Sequence, residues 1–140
     1  MKAHHGTAVS RDGNAALILG GSGAGKSRLA LKLLAYGADL VADDAVELRA
    51  SDDGVLLMCP PSIQGMIEAR GVGLLTVKSV EKAMLAFVVD LDKTAGARLP
   101  EPKEVSFLGV NFPLICGKDN PDLGAVVWCL LGGGQILPIV

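Results

Sequence analysis

The chain has 140 residues, half of them hydrophobic and 20% charged, with a formal net charge of −2. That is long enough for one domain with a real core and too apolar for a disordered chain. The charge balance, with no basic cluster, speaks against nucleic acid as a partner. Aromatic residues make up only 4%, so the core must be aliphatic, which suits a sheet flanked by helices. No apolar run is long and unbroken enough to span a membrane. The first residues lack the apolar centre of a signal peptide. Cys59, Cys116 and Cys129 are odd in number and without metal spacing. The expectation is small buried thiols in a reduced, cytoplasmic setting.

His4 to Val9 reads as a short first strand, and Asp12-Gly13 as the turn of a hairpin into the next. Asn14 to Leu19 reads as a short buried strand, and Arg28 to Tyr36 as a helix closed by Gly37. Between them stands Gly20-Gly21-Ser22-Gly23-Ala24-Gly25-Lys26-Ser27, which fits G-x-x-x-x-G-K-[ST] in the strand–loop–helix context the motif requires. Small residues let the backbone curl until its N–H groups face an anion. Lys26 then reaches the outer phosphates, Ser27 offers its hydroxyl to Mg²⁺, and the helix points its positive end at the same place. This is a nucleotide site.

Asp39 to Ala42 is a strand candidate ending in Asp43-Asp44, 17 and 18 residues after Lys26. Carboxylates at the carboxyl end of a strand are where an α/β sheet presents chemistry. Phosphoryl transfer needs a metal held near the phosphates and a carboxylate to take a proton, and a pair can divide those duties. Otherwise the pair simply caps a turn. Ala45 to Met58 alternates as a hairpin turning at Ser51 to Gly54, and Cys59 to Ser62 is a loop. Met66 to Leu75 reads as extended, which puts Glu68 and Arg70 on one face. Glu68 is either a metal ligand or part of a solvated face paired with Arg70.

Ala83 to Val89 is an unbroken apolar run read as a central strand, closed by Asp90. Asp92 to Glu104 is a polar loop long enough to suggest function. Within it, Arg98 is either a transition-state cation or a surface charge. Val105 to Leu108 and Phe112 to Cys116 are short strands. Asn120-Pro121 opens a last helix as N-cap and first residue, and Gly132 to Gly134 stop it near Leu131. His5 is a functional group, a solvated terminal side chain, or with His4 the remnant of a tag.

Together these residues resemble the catalytic, C-terminal domain of HPr kinase/phosphorylase over most of the chain, in its short proteobacterial form. His5-Gly6 is similar to the family's His-Gly element, 21 residues before the loop lysine. Gly20 to Ser27 matches its phosphate loop, and Leu40-Val41-Ala42-Asp43-Asp44 its Val-Ala-Asp-Asp segment. Ile67-Glu68-Ala69-Arg70-Gly71-Val72-Gly73-Leu74-Leu75 resembles its signature Ile-Glu-Ile-Arg-Gly-Leu-Gly-Ile-Ile.

The resemblance implies an α/β fold: one P-loop kinase domain over residues 1–140, with a mixed sheet similar to the nucleotide-binding part of phosphoenolpyruvate carboxykinase. It implies a serine kinase that uses ATP or pyrophosphate with Mg²⁺ on an HPr-like phosphocarrier, reversed by phosphorolysis with inorganic phosphate. Carried over, Lys26 binds phosphate, and Ser27 and Glu68 hold the metal. Asp43 or Asp44 moves the serine proton with help from His5, and Arg98 matches an active-site arginine. Against the family's pattern the expectation is a chain without the usual separate N-terminal domain and with a short segment before Arg98. It also reads Ile115 to Asn120 where the family has an arginine-bearing loop. In the family, the phosphorylase reaction, the hexamer and allosteric control depend on such parts. The rival readings are a nucleotide-sensing module without productive transfer and a P-loop kinase for a small metabolite.

Overall fold

Two neighbouring strands buried on both faces organise the fold. They are β3 (Asn14–Leu19) and β9 (Lys82–Asp90), paired in parallel. Their near-continuous apolar runs are what a doubly covered strand demands. The pairing skips a residue, Ala15 facing Leu85 and Ala16 facing Phe87, so Ala86 forms a bulge. The bulge resets which side chains face which layer. Ala83 and Leu85 point to one core, Phe87 and Val89 to the other. The run from Ala83 to Val89 is central, as its composition predicts.

The computed structural model describes residues 2–137. The two ends of the expected 1–140 span lie outside the described residues. In chain order, β1 (Lys2–His5) and β2 (Thr7–Arg11) precede β3, and Asp12-Gly13 turns the β2–β3 hairpin with both residues at positive φ. Then come α1 (Lys26–Tyr36), β4 (Asp39–Ala42), β5 (Ala45–Ser51) and β6 (Gly54–Met58). A 3₁₀ turn at Pro61–Ile63 leads to β7 (Met66–Ala69) and β8 (Gly73–Thr76). After β9 follow β10 (Lys103–Phe107), β11 (Val110–Cys116) and α2 (Leu123–Leu131). Nine strands form one mixed sheet in the order β1-β5-β6-β9-β3-β2-β4, with the β10–β11 hairpin joined to β9 through β11.

One face of this sheet packs on α1 and α2 through Val9, Ile18, Leu29, Leu33, Phe87 and Val127. The other face gathers Leu17, Val41, Val46, Leu57, Val88 and Phe112. Contacts of β4 with β5 and β6, which lie far from it in the strand order, show that the sheet curls until its two ends approach.

Three local expectations are corrected. Residues 66–75 are not one extended strand but the hairpin β7–β8, separate from the main sheet. Gly71 at φ +80 makes the turn, and Arg70 falls in that turn instead of sharing a strand face with Glu68. The last helix starts at Leu123 with Asp122 as its cap residue. Asn120 instead accepts the Asp122 N–H at 2.9 Å in the turn before it. None of the three cysteines is fully buried: Cys59 and Cys116 are half-buried, and Cys129 is exposed on α2.

Candidate active site

The site lies where the curled ends of the sheet meet. Asp43-Asp44 carries the chain from β4, at one edge, to β5, near the other. His5-Gly6-Thr7 makes a second crossing, from β1 beside β5 to β2 beside β4. The Gly6 N–H donates to the Asp44 carbonyl at 3.2 Å and ties the crossings together. A Cβ on Gly6 would lie 3.1 Å from the Ile18 carbonyl oxygen, so only glycine passes here without displacing backbone. Asp44 itself takes φ +72, a left-handed conformation that aspartate tolerates better than most residues.

The two carboxylates have different surroundings. Asp43 Oδ1 accepts the Ser27 hydroxyl at 2.7 Å and the Thr7 hydroxyl at 2.9 Å. Its Oδ2 accepts the Glu68 backbone N–H at 3.4 Å. Three donors from α1, β2 and β7 therefore hold one half-buried side chain. Asp44 is 82% exposed, with Oδ1 3.5 Å from His5 Nδ1, an ion pair when that imidazole is protonated. One carboxylate is anchored and the other is free to meet a reactant.

Residues 20–27 curl between β3 and α1. Gly25 stands at φ +104 just before the helix, and no side chain caps the helix start, so its first N–H groups remain available to an anion. Lys26 is buried, its Nζ donating to the Gly20 carbonyl at 2.8 Å and the Gly21 carbonyl at 3.1 Å. Ser27 Oγ donates a hydrogen bond to Asp43, which leaves its lone pairs for a cation. A hydroxyl beside a carboxylate is a hard oxygen donor set. Among the described residues no group of three or more His, Cys, Asp or Glu could hold a metal unaided. Such a set fits Mg²⁺, which keeps waters and takes further oxygens from a phosphate.

The structure thus brings together His5, Lys26, Ser27, Asp43 and Asp44, with the exposed Glu68 joining through its backbone. Arg98 stands on the segment between β9 and β10. It lines a groove of about 730 Å³ with Phe87, Leu114 and Val126, and none of residues 20–27, Asp43, Asp44 or Glu68 lines that groove. Two residues of the site escaped the sequence. Thr7 looks like an ordinary β-branched strand residue, yet its hydroxyl is fully buried against Asp43. Asp92 reaches back to Gly21 from 71 residues away. The thiol of Cys59, on the loop after β6, has its pKa pushed up by burial and then by the neighbouring Glu47.

Residues 1–93 match the family model of the HPr serine kinase C-terminal domain. The HPr kinase/phosphorylase of Burkholderia lata is 39% identical over 118 residues, which cover 76% of this chain and 37% of that protein. The HPr kinase/phosphorylase of Ralstonia pickettii is 46% identical over 77 residues, 54% of this chain and 24% of that one. The chain therefore spans well under half the length of these curated relatives. The structure of an Hpr(Ser) kinase/phosphatase from Coxiella burnetii superposes with a TM-score of 0.82 at 24% identity, covering 95% of each chain. At that identity the likeness speaks for the fold.

Proposed function

The chain belongs to the family of HPr serine kinase C-terminal domains, and from that premise we propose that it transfers a phosphoryl group from ATP to a serine of an HPr-like phosphocarrier protein. The observation that carries this reading is the division of the Asp pair, Asp43 anchored on Ser27 and Asp44 exposed beside His5. A module that only sensed nucleotide would have no use for the second, free carboxylate.

The geometry supports a role for each of these residues. The loop N–H groups not engaged by Asp92 or by the Gly21 carbonyl, with the start of α1, receive the phosphates, and the Lys26 ammonium, held across the loop by two carbonyls, meets the outer ones. Mg²⁺, when bound with the nucleotide, would neutralise charge on the phosphates. Ser27, oriented by Asp43, and Glu68 are the residues that would hold it. The acceptor serine comes to Asp44, which takes its hydroxyl proton as the oxygen attacks the γ-phosphorus, and ADP leaves.

The His5 ring beside Asp44 steadies the carboxylate and the proton it gains. In the reverse direction inorganic phosphate attacks phosphoserine, Asp44 returns the proton to the serine oxygen, and pyrophosphate leaves. The cytoplasmic setting and the kinship with the phosphoenolpyruvate carboxykinase nucleotide-binding fold belong to the same reading, on the strength of the resemblance. Arg98 as the transition-state cation rests on the resemblance alone and requires its loop to carry it from its groove to the phosphates.

The test is direct. The protein is incubated with Mg²⁺, γ-labelled ATP and a purified HPr-like carrier, then given excess phosphate. Label on a carrier serine supports the kinase, and its release as pyrophosphate supports phosphorolysis. ATP bound without any transfer would refute the reading.

A further inference from the structure

A single peptide unit in the glycine loop is gripped at both ends by opposite charges. The Gly21 N–H donates to Asp92 Oδ2 at 2.8 Å, and the carbonyl of the same peptide, that of Gly20, accepts Lys26 Nζ at 2.8 Å. The line runs carboxylate, N–H, C=O, ammonium, with the peptide dipole aligned between the charges. A peptide between two glycines has little of its own to stop it flipping. If it flipped, its carbonyl would leave Lys26 and its N–H would face the ammonium.

Asp92 is itself held. Its backbone N–H donates to Asp90 Oδ1 at 2.9 Å. The Leu91 N–H donates to the Leu19 carbonyl at 2.9 Å, and the Gly117 N–H to the Asp90 carbonyl at 2.9 Å. Lys93 Nζ stands 3.9 Å from Asp90 Oδ2. The end of β9 is thus a fixed post against the start of the loop. The Asp92 side chain is exposed and touches none of the anchored cluster around Asp43.

We propose that Asp92 is a positioning residue for the nucleotide, one that locks the Gly20–Gly21 peptide so that Lys26 stays aimed across the loop before phosphate arrives. This rests on the reading of residues 20–27 as the phosphate site. Asp92 acts by the hydrogen bond it accepts, not by its charge, since a negative charge there opposes a phosphate. The consequence is a sign that simple electrostatics would not give. Asp92→Ala removes a charge unfavourable to phosphate and yet weakens binding, about tenfold, the scale of one hydrogen bond lost from a preorganised loop. Asp92→Asn keeps an oxygen for the Gly21 N–H, removes the charge, and binds at least as tightly as the unaltered chain.

Titration of the three proteins with a fluorescent ATP analogue and Mg²⁺ tests this, with Lys26→Ala as the control for the site. An NMR spectrum of the Gly21 amide proton, shifted upfield in Asp92→Ala, reads the hydrogen bond without nucleotide. Unchanged affinity in Asp92→Ala overturns the proposal, and so does an Asp92→Asn variant as weak as Asp92→Ala. Unchanged affinity in Lys26→Ala would instead overturn the phosphate-site reading.

Discussion

Replacing Thr7 by valine removes one hydroxyl from the fully buried Thr7 while conserving its shape. The lost interaction is the 2.9 Å hydrogen bond to Asp43 Oδ1. Hydrogen bonds to charged groups contribute about 1.5–3 kcal/mol. Asp43 is half-buried and keeps the Ser27 hydroxyl and the Glu68 N–H, so the low end applies, about 1.5 kcal/mol. For a chain of this size that lowers Tm by about 5 °C. The loss also frees Asp43 to swing on Ser27, and the transfer step slows about tenfold while ATP affinity changes little. Thermal unfolding followed by circular dichroism, beside ATP titration and initial transfer rates, measures all three. Thr7→Ser restores the hydroxyl and recovers most of the loss. A Thr7→Val protein as stable and as fast as the unaltered chain would refute the claim that three donors hold Asp43.

Two further outcomes follow from the same structure. Arg98→Ala slows transfer at least tenfold with ATP affinity unchanged; a fully active variant makes Arg98 a surface cation of its groove. Among the thiols, exposed Cys129 alkylates before Cys59 at about pH 8. Burial and Glu47 push the Cys59 pKa up, so less of it is thiolate there, and its rate climbs only as pH rises through the elevated value. Peptide mass spectrometry after timed iodoacetamide treatment orders them, and a Cys59 that reacts first would contradict its environment.

What the sequence displays and what it hides divide along one physical line. The loop at residues 20–27, the helix that Gly37 closes and the Asp12-Gly13 hairpin are local, each written in consecutive residues, and all form as their residues direct. The run from Ala83 to Val89 announces a central strand because a strand covered on both faces needs no polar alternation. Hidden from local pattern are the partners that the curled sheet brings from afar. Thr7 meets Asp43 across 36 residues and Asp92 meets Gly21 across 71. Nothing in a Thr-Ala-Val strand distinguishes a hydroxyl that will be buried on a carboxylate. The glycines at 71 and 73 did signal the turn that makes residues 66–75 a hairpin, since four-residue strands flanking a left-handed glycine fit it better than one long strand. Asn120-Pro121 misled because an asparagine that accepts the N–H two residues on builds a turn as readily as a helix cap.

The role of Asp44 as the base is tested most directly by comparing the unaltered chain with Asp44→Asn in a single-turnover reaction with γ-labelled ATP, Mg²⁺ and an HPr-like carrier, nucleotide binding being measured in parallel. A carrier serine gains label from the unaltered chain, and labelling falls at least a hundredfold in Asp44→Asn, with ATP still bound by both. Equal labelling by the two proteins would contradict that role.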